Sequence, residues 1–161
     1  MISQSSNFAT NLLLKLLDAK TVNATAHTLG ARNMTVLRGV EDGKAFDKGL
    51  NNTTTARDLG VLLAAIEQGT AASKKSCAAM KTVLFRQVFN TEIPAGLPAG
   101  VQVAHKTGWI TGTLHDAALV YPKNRSPYVL VVMSRGIANE KIAQAMIADI
   151  SGQVYAFSTS R

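Results

Sequence analysis

Residues 101–133 read VQVAHKTGWITGTLHDAALVYPKNRSPYVLVVM and carry the clearest structural pattern in the chain. Three runs within this segment, 101–104, 117–121 and 128–133, are rich in the β-branched and aromatic residues that favour strands. Gly112, Pro122 and Pro127 lie between the runs, where Gly and Pro favour chain reversals. The segment therefore predicts an antiparallel meander of three strands.

Helical patterns flank this meander on both sides. Apolar residues at helical spacing in residues 7–17 predict a helix with one buried stripe. A second, short helix is predicted over about 23–29, followed by a loop over 31–52. A third helix is predicted to begin at a capping box at Thr55 and to end at Gly69, a fourth to span about 74–89, and a last one to begin at Asn139. The predicted fold class is α+β, as one partial domain that is mainly helical over 1–95 and holds the sheet and terminal helix over 96–161.

Composition excludes several classes of protein. A net charge of +7 suggests an anionic partner, but the basic residues are scattered without interleaved aromatic residues, so we expect no nucleic-acid partner. No apolar run reaches the roughly 18 residues that a membrane span needs, and the first residues, MISQ, lack the basic region and cleavage pattern expected of a signal peptide. Cys77 is the single cysteine and is expected to be a packed residue.

Two short motifs bring together the side chains of an acyl-transfer site. Ser5-Ser6-Asn7 offers a hydroxyl and a carboxamide, and His105-Lys106-Thr107-Gly108 offers an ammonium and a second hydroxyl on a predicted strand. Each motif also has a plain structural interpretation, because Ser and Asn cap helices and a surface Lys often precedes a turn Gly. Trp109 either flanks a ligand or packs on the strand, and packing is slightly favoured.

These motifs resemble two of the three that mark class A β-lactamases and penicillin-binding proteins, S-x-x-K, S-D-N and K-T-G. The resemblance extends to residues 4–14 (QSSNFATNLLL), 52–56 (NTTTA) and 97–100 (LPAG). Ser6 replaces the acid of S-D-N, and no S-x-x-K precedes it. The chain thus resembles the C-terminal portion of a class A β-lactamase-like, penicillin-recognising serine hydrolase, and we expect the S-x-x-K segment upstream.

The resemblance implies a partial β-lactamase/D,D-peptidase-like fold whose sheet is completed by strands from the N-terminal side. It implies a β-lactam or D-Ala-D-Ala-like substrate, an acyl-enzyme on an upstream Ser and no cofactor. Ser5 and Lys106 would be catalytic, Ser5 by relaying a proton. Asn7, Thr107, Gly108 and Trp109 would bind substrate, with Lys106 and Thr107 on its carboxylate. A D,D-peptidase-like penicillin-binding protein and a non-catalytic remnant that binds a partner chain remain alternatives.

The deacylating base is the weakest part of this resemblance. Arg38-Gly39-Val40-Glu41 resembles the start of the family's Ω-loop, which implies that Glu41 is the catalytic base for deacylation. Glu41 is, however, one position further from Arg38 than the family's deacylating Glu is from its Arg. Arg38 could close the loop by an ion pair with Asp42 or Asp47. Glu41 is equally well interpreted as a solvated loop acid.

Several further expectations concern the chain as a whole. His105 and His115 flank a predicted hairpin, but no metal-ligand spacing is present and we expect no metal. His115-Asp116 resembles a catalytic dyad, yet no nucleophile elbow accompanies it, which argues against a Ser-His-Asp triad. The resemblance implies a periplasmic or secreted location. An unpaired strand edge predicts a dimer, a swapped oligomer or a complementing N-terminal chain.

Overall fold

The computed structural model describes residues 1–160. Helices α1 to α5 precede a three-stranded sheet, and helix α6 follows it. The helices are Asn7–Leu17, Ala19–Thr28, Gly43–Asp47, Ala56–Gln68 and Lys74–Leu84 for α1 to α5, a 3₁₀ helix Ile93–Gly96, and Glu140–Thr159 for α6. The strands are β1 Gln102–Ile110, β2 Thr113–Tyr121 and β3 Tyr128–Arg135. The predicted α+β class and antiparallel meander are confirmed.

The helix boundaries follow from capping side chains. Asp18 ends α1 and starts α2, because its carboxylate accepts from Thr21 N at 2.7 Å, so α2 begins earlier than predicted. Thr55 accepts from Asp58 N at 3.1 Å and Gly69 ends α4 in the left-handed conformation, as the capping pattern indicated. The loop prediction for 31–52 missed the short helix α3.

Helix α5 ends at Leu84, five residues before its predicted end. The buried side chain of Gln87 accepts from Val88 N and Phe89 N, at 3.0 and 3.2 Å, and donates to Ile2 O at 3.0 Å. Val88 N also donates to Ser3 O at 3.1 Å. These bonds replace a continued helix and tie the first residues of the chain to the segment before β1.

The sheet has strand order β1-β2-β3 and is covered on both faces. On one face, Ala118 and Val120 pack with Ile93 and with Ala143 and Ile147 of α6. On the other face, Ala104 and Leu119 pack with Leu63 of α4 and Leu84 of α5. Consequently β2 is buried on both sides and fixes the position of β1.

Helix α1 differs from its prediction, because none of its residues is buried. Phe8 and Leu16 are 75% and 77% exposed, and Leu12, Leu13 and Leu17 are exposed as well. Periodicity placed the apolar stripe correctly, but within residues 1–160 no element covers it. No helix in the same range has the length and hydropathy needed to cross a bilayer.

Candidate active site

Ser5 is held in an unusual backbone conformation beside the sheet. Its φ is +48°, in the left-handed region that a serine seldom adopts. Ser6, which follows it, is the N-cap of α1 and accepts from Ala9 N at 3.2 Å. The bonds from Gln87 and Val88 hold the residues just before it. Constrained on both sides, the Ser5 hydroxyl accepts a hydrogen bond from Lys106 Nζ.

Lys106 lies in the middle of β1, opposite Ala117 of β2. Its ammonium also donates to the carbonyl oxygen of Thr107. Burial lowers the pKa of Lys106 because it disfavours the charged form, and the negative charges of Asp116 and Glu92 oppose that effect. A lysine with a lowered pKa beside a serine hydroxyl is suited to moving a proton through that hydroxyl.

A cavity of about 270 Å³ opens beside this pair. It is lined by Ser5, Phe89, Thr91, Glu92, Thr107, Trp109, Leu114, Glu140 and Gln144. No atom lies within 4 Å of the position that a Cβ on Gly108 would occupy, so the strand is open there. Trp109 is 62% exposed and lines the cavity.

Glu92 is a cavity residue that sequence reasoning missed. Its side chain is only 3% exposed. Oε1 accepts from the Thr91 hydroxyl at 3.0 Å, whereas Oε2 has no hydrogen-bond partner within residues 1–160. Burial raises the pKa of Glu92, and the charge of Asp116 raises it further. No motif marks this acid, because its burial results from packing against distant strands.

Four predicted site residues are not part of the cavity lining. Lys106 is joined to the lining by its bond to Ser5, and Gly108 lies between Thr107 and Trp109, whereas Asn7 and Glu41 have no such connection. Asn7 is exposed at the first position of α1. Glu41 is exposed, has a φ of +60° and lines a separate groove with Asn11 and Lys15. The structure thus brings together Ser5, Lys106, Thr107 and Trp109 and leaves Glu41 apart from them.

The predicted ion pair of Arg38 with Asp42 or Asp47 is wrong. The Arg38 guanidinium instead donates to Leu50 O and Gly39 O, both at 2.9 Å. Its Cζ also lies 5.4 Å from the centre of the Phe46 ring. Because backbone carbonyls take the place of a carboxylate, loop closure here does not need an acid at position 42 or 47.

The histidines are arranged differently from the sequence interpretation. In the pairing of β1 with β2, His105 lies opposite Ala118, so these two side chains are on the same face of the sheet. His115 is three residues from Ala118 on β2, and its ring is therefore on the opposite face. Asp116 therefore pairs with His105, not with its neighbour His115, as alternation of side chains along β2 requires. Within residues 1–160, no group of three His, Cys, Asp or Glu side chains is arranged to hold a metal ion.

Comparison with known proteins shows that the similarity covers almost the whole chain and therefore includes all of the predicted site residues. The sequence pattern of the beta-lactamase enzyme family matches residues 1–158. A beta-lactamase of Streptomyces lavendulae is 31% identical over 137 residues, which cover 83% of this chain and 45% of that protein. A beta-lactamase of Amycolatopsis lactamdurans is 33% identical over 150 residues, covering 90% and 50% respectively. The chain thus spans about half the length of these curated relatives.

Solved structures share the fold. The structure of PBP-A, 34% identical, superposes with a TM-score of 0.88 over 98% of this chain and 58% of that chain. A beta-lactamase from Chitinophaga pinensis, 26% identical, superposes with a TM-score of 0.90 over 98% and 62%. Family pattern and fold agree along almost the full length, so the chain belongs to the beta-lactamase enzyme family.

Proposed function

We propose that this chain forms the proton-relay and carboxylate-binding wall of a serine hydrolase that cleaves β-lactam amide bonds through an acyl-enzyme. The nucleophile would be the Ser of an S-x-x-K segment outside these 161 residues. The observation that carries the proposal is the hydrogen bond from Lys106 Nζ to Ser5 Oγ at the edge of the cavity. A mutant of the similar PBP-A has been solved as an acyl-enzyme complex with penicillin G, which supports the substrate class.

In the proposed reaction, the upstream Ser attacks the β-lactam carbonyl carbon and the ring C–N bond breaks. The hydroxyl proton of the attacking Ser goes to the Lys of its S-x-x-K segment. Ser5 passes its own proton to the departing nitrogen and regains one from Lys106, whose lowered pKa makes its proton easier to release. The proton held by the S-x-x-K Lys then returns to Lys106, which is charged again. Lys106 and the Thr107 hydroxyl bind the substrate carboxylate. Water then attacks the ester and releases the acid.

A D,D-peptidase-like penicillin-binding protein is the second candidate. The 34% identity with PBP-A favours it, together with the distance of Glu41 from the cavity lining, since fast deacylation needs a base that holds water against the ester. Such a protein would be acylated by penicillin but would release it slowly. A non-catalytic remnant would not be acylated even when it is joined to an S-x-x-K segment.

A fusion experiment tests the proposal. The S-x-x-K-bearing portion of the PBP-A relative is joined in front of Met1, and the product is exposed to penicillin G and followed by intact mass spectrometry. We expect an adduct on the added Ser. Lys106→Ala should slow acylation by about a hundredfold, a typical effect of removing a positioned catalytic charge.

Lys75→Ala is the matched control, because Lys75 is exposed on α5 and lies outside the cavity lining. It should leave acylation unchanged. The single tryptophan, Trp109, lines the cavity, so its fluorescence reports ligand binding independently of the chemistry. A folded fusion that forms no adduct, or equal rates for Lys106→Ala and Lys75→Ala, would contradict the proposal.

A further inference from the structure

The cavity beside Ser5 has a part of its lining that the proposed reaction does not use. Four of the residues that line it are aromatic or acidic, namely Phe89, Glu92, Trp109 and Glu140. Within residues 1–160, the lining contains no lysine or arginine. Aromatic faces and carboxylates both attract organic cations, so this combination of side chains suits a positively charged ligand group.

Trp109 and Glu140 are placed to act together. Both also line a smaller adjoining cavity of about 100 Å³, so their side chains border the same space. Trp109 and Phe89 are 62% and 47% exposed, which makes both rings accessible to a ligand. The Glu140 carboxylate is held in place by Gln144, whose Nε2 donates to Oε1 at 3.1 Å. A cation over the indole ring would thus have an ordered carboxylate nearby.

Glu92 is an independent indication of a ligand. It belongs to the cavity lining although its side chain is only 3% exposed. Oε1 accepts from the Thr91 hydroxyl at 3.0 Å, whereas Oε2 has no hydrogen-bond partner within residues 1–160. An unpaired buried oxygen costs free energy. A cation in the cavity would offset that cost, and it would favour the ionised form of a carboxyl whose pKa burial has raised.

We propose that the part of the cavity lined by Trp109, Glu92 and Glu140 is a subsite for an organic cation, such as an ammonium or pyridinium group. In the proposed function, Lys106 and Thr107 bind the substrate carboxylate, so a zwitterionic substrate would place each of its charges beside groups that attract it. The subsite therefore favours substrates that carry a cation close to their carboxylate. This substrate preference rests on the proposed function, whereas binding of a free cation does not.

A free cation tests the subsite without any chemistry. N-methylpyridinium and toluene have the same shape and differ in charge, so NMR titration of the full chain with each compound separates electrostatic attraction from apolar packing. We expect N-methylpyridinium to cause saturable shifts of the Trp109 indole N–H and of the amide resonances of residues 107–110, and toluene to bind more weakly. Toluene binding that is equal or tighter, or no saturable shift with N-methylpyridinium, would overturn the proposal.

Glu140→Gln removes the charge and keeps the size of the side chain. It should weaken N-methylpyridinium binding about threefold, within the range for an exposed ion pair. Asp149→Asn is the matched control, because Asp149 is an exposed acid on the same helix, accepts from Gln153 at 2.8 Å and lies outside the cavity lining. It should leave binding unchanged. Equal affinities of the two variants would overturn the role of Glu140 in the subsite.

The fusion protein extends the test to substrates. Cephaloridine and cephalothin share their thienylacetamido side chain and ring carboxylate, and the carbon next to the one that bears the carboxylate carries a pyridiniomethyl group in the first and an acetoxymethyl group in the second. Because the two compounds differ in intrinsic reactivity, the ratio of their acylation rate constants is compared between variants. The cephaloridine-to-cephalothin ratio should fall about threefold in Glu140→Gln and stay unchanged in Asp149→Asn.

The outcomes of the substrate test separate the two proposals. Equal ratios in Glu140→Gln and Asp149→Asn would overturn the substrate preference. A fusion that neither compound acylates would overturn the proposed function, and the titration with N-methylpyridinium would still decide whether the subsite binds a cation.

Discussion

Protonation of His115 makes the stability of this fold depend on pH. Burial lowers the pKa of His115 below its usual 6.5, and protonation of Nδ1 would break the bond from Ser134 N. The unfolded chain therefore binds the proton more tightly than the folded chain. The contribution of His115 to stability is present above about pH 6.5 and is lost as the pH falls toward the lower folded-state value.

We predict that His115→Gln loses less stability than the unsubstituted chain between about pH 7.5 and pH 5, the range that brackets the ordinary histidine pKa. A glutamine oxygen can still accept from Ser134 N but does not titrate in this range. Urea unfolding at both pH values measures the difference. Parallel losses in the two proteins would show that His115 does not titrate against folding.

Glu41 leads to a second prediction at this scale. It lies in a groove apart from the cavity, so Glu41→Gln in the fusion protein should change deacylation by less than about threefold, within the range of surface substitutions away from a site. Lys106→Ala is the contrast, with its loss of about a hundredfold in acylation. Stopped-flow rates decide: an acyl-enzyme trapped only by Glu41→Gln would identify Glu41 as the base.

At the scale of elements, the 3₁₀ helix lies directly against α6. A Cβ on Gly96 would lie 1.8 Å from the carbonyl oxygen of Ala148, and a backbone atom cannot rotate away from it. This close approach also places Ile93 in the core, where its N–H bonds to Asp116 and its carbonyl accepts from the Ser151 hydroxyl at 2.9 Å.

Gly96→Ala should therefore destabilise the fold by about 3 kcal/mol, toward the upper end for overpacking, because the clash is with backbone. Gly43→Ala is the control, since no atom lies within 4 Å of the added methyl group. It should change stability by less than about 0.5 kcal/mol. Similar unfolding midpoints for the two variants would contradict the close packing of the 3₁₀ helix on α6.

For the whole molecule, the apolar face of α1 and the outer edge of β3 are unpaired within residues 1–160. Exposed apolar surface and a free strand edge both favour association with another chain. We predict that this chain alone forms dimers or larger species, and that Phe8→Lys with Leu16→Lys weakens association at least about tenfold, since burial of one such side chain contributes about 1.5–3 kcal/mol.

Light scattering over a concentration series measures this association. Ala79→Lys, which adds a charge to an exposed position on α5, should leave the association unchanged. A monodisperse monomer of 17.1 kDa at high concentration would contradict the prediction.

The same chain, without an S-x-x-K segment joined to it and exposed to penicillin, should form no stable adduct. Mass spectrometry that finds the mass of the antibiotic added on Ser5 would refute that expectation.

Local patterns in the sequence were sufficient for the meander and for the caps at Thr55 and Asn139. The meander and the caps depend on side-chain period and on hydrogen bonds within a few residues, so neighbouring residues specify them. The resemblance to known motifs paired Ser5 with Lys106 and suggested a chemical role for each, and the family assignment agrees with that resemblance.

Packing between distant segments determined the rest. Strand register places Asp116 beside His105 rather than beside His115. The hydrogen bond of Gln87 with Ile2 accompanies the early end of α5. Burial against the sheet raises the pKa of Glu92. The exposure of α1 depends equally on which elements lie near it. Register, burial and long-range hydrogen bonds arise from pairs of residues far apart in the chain, so no local pattern could have specified them.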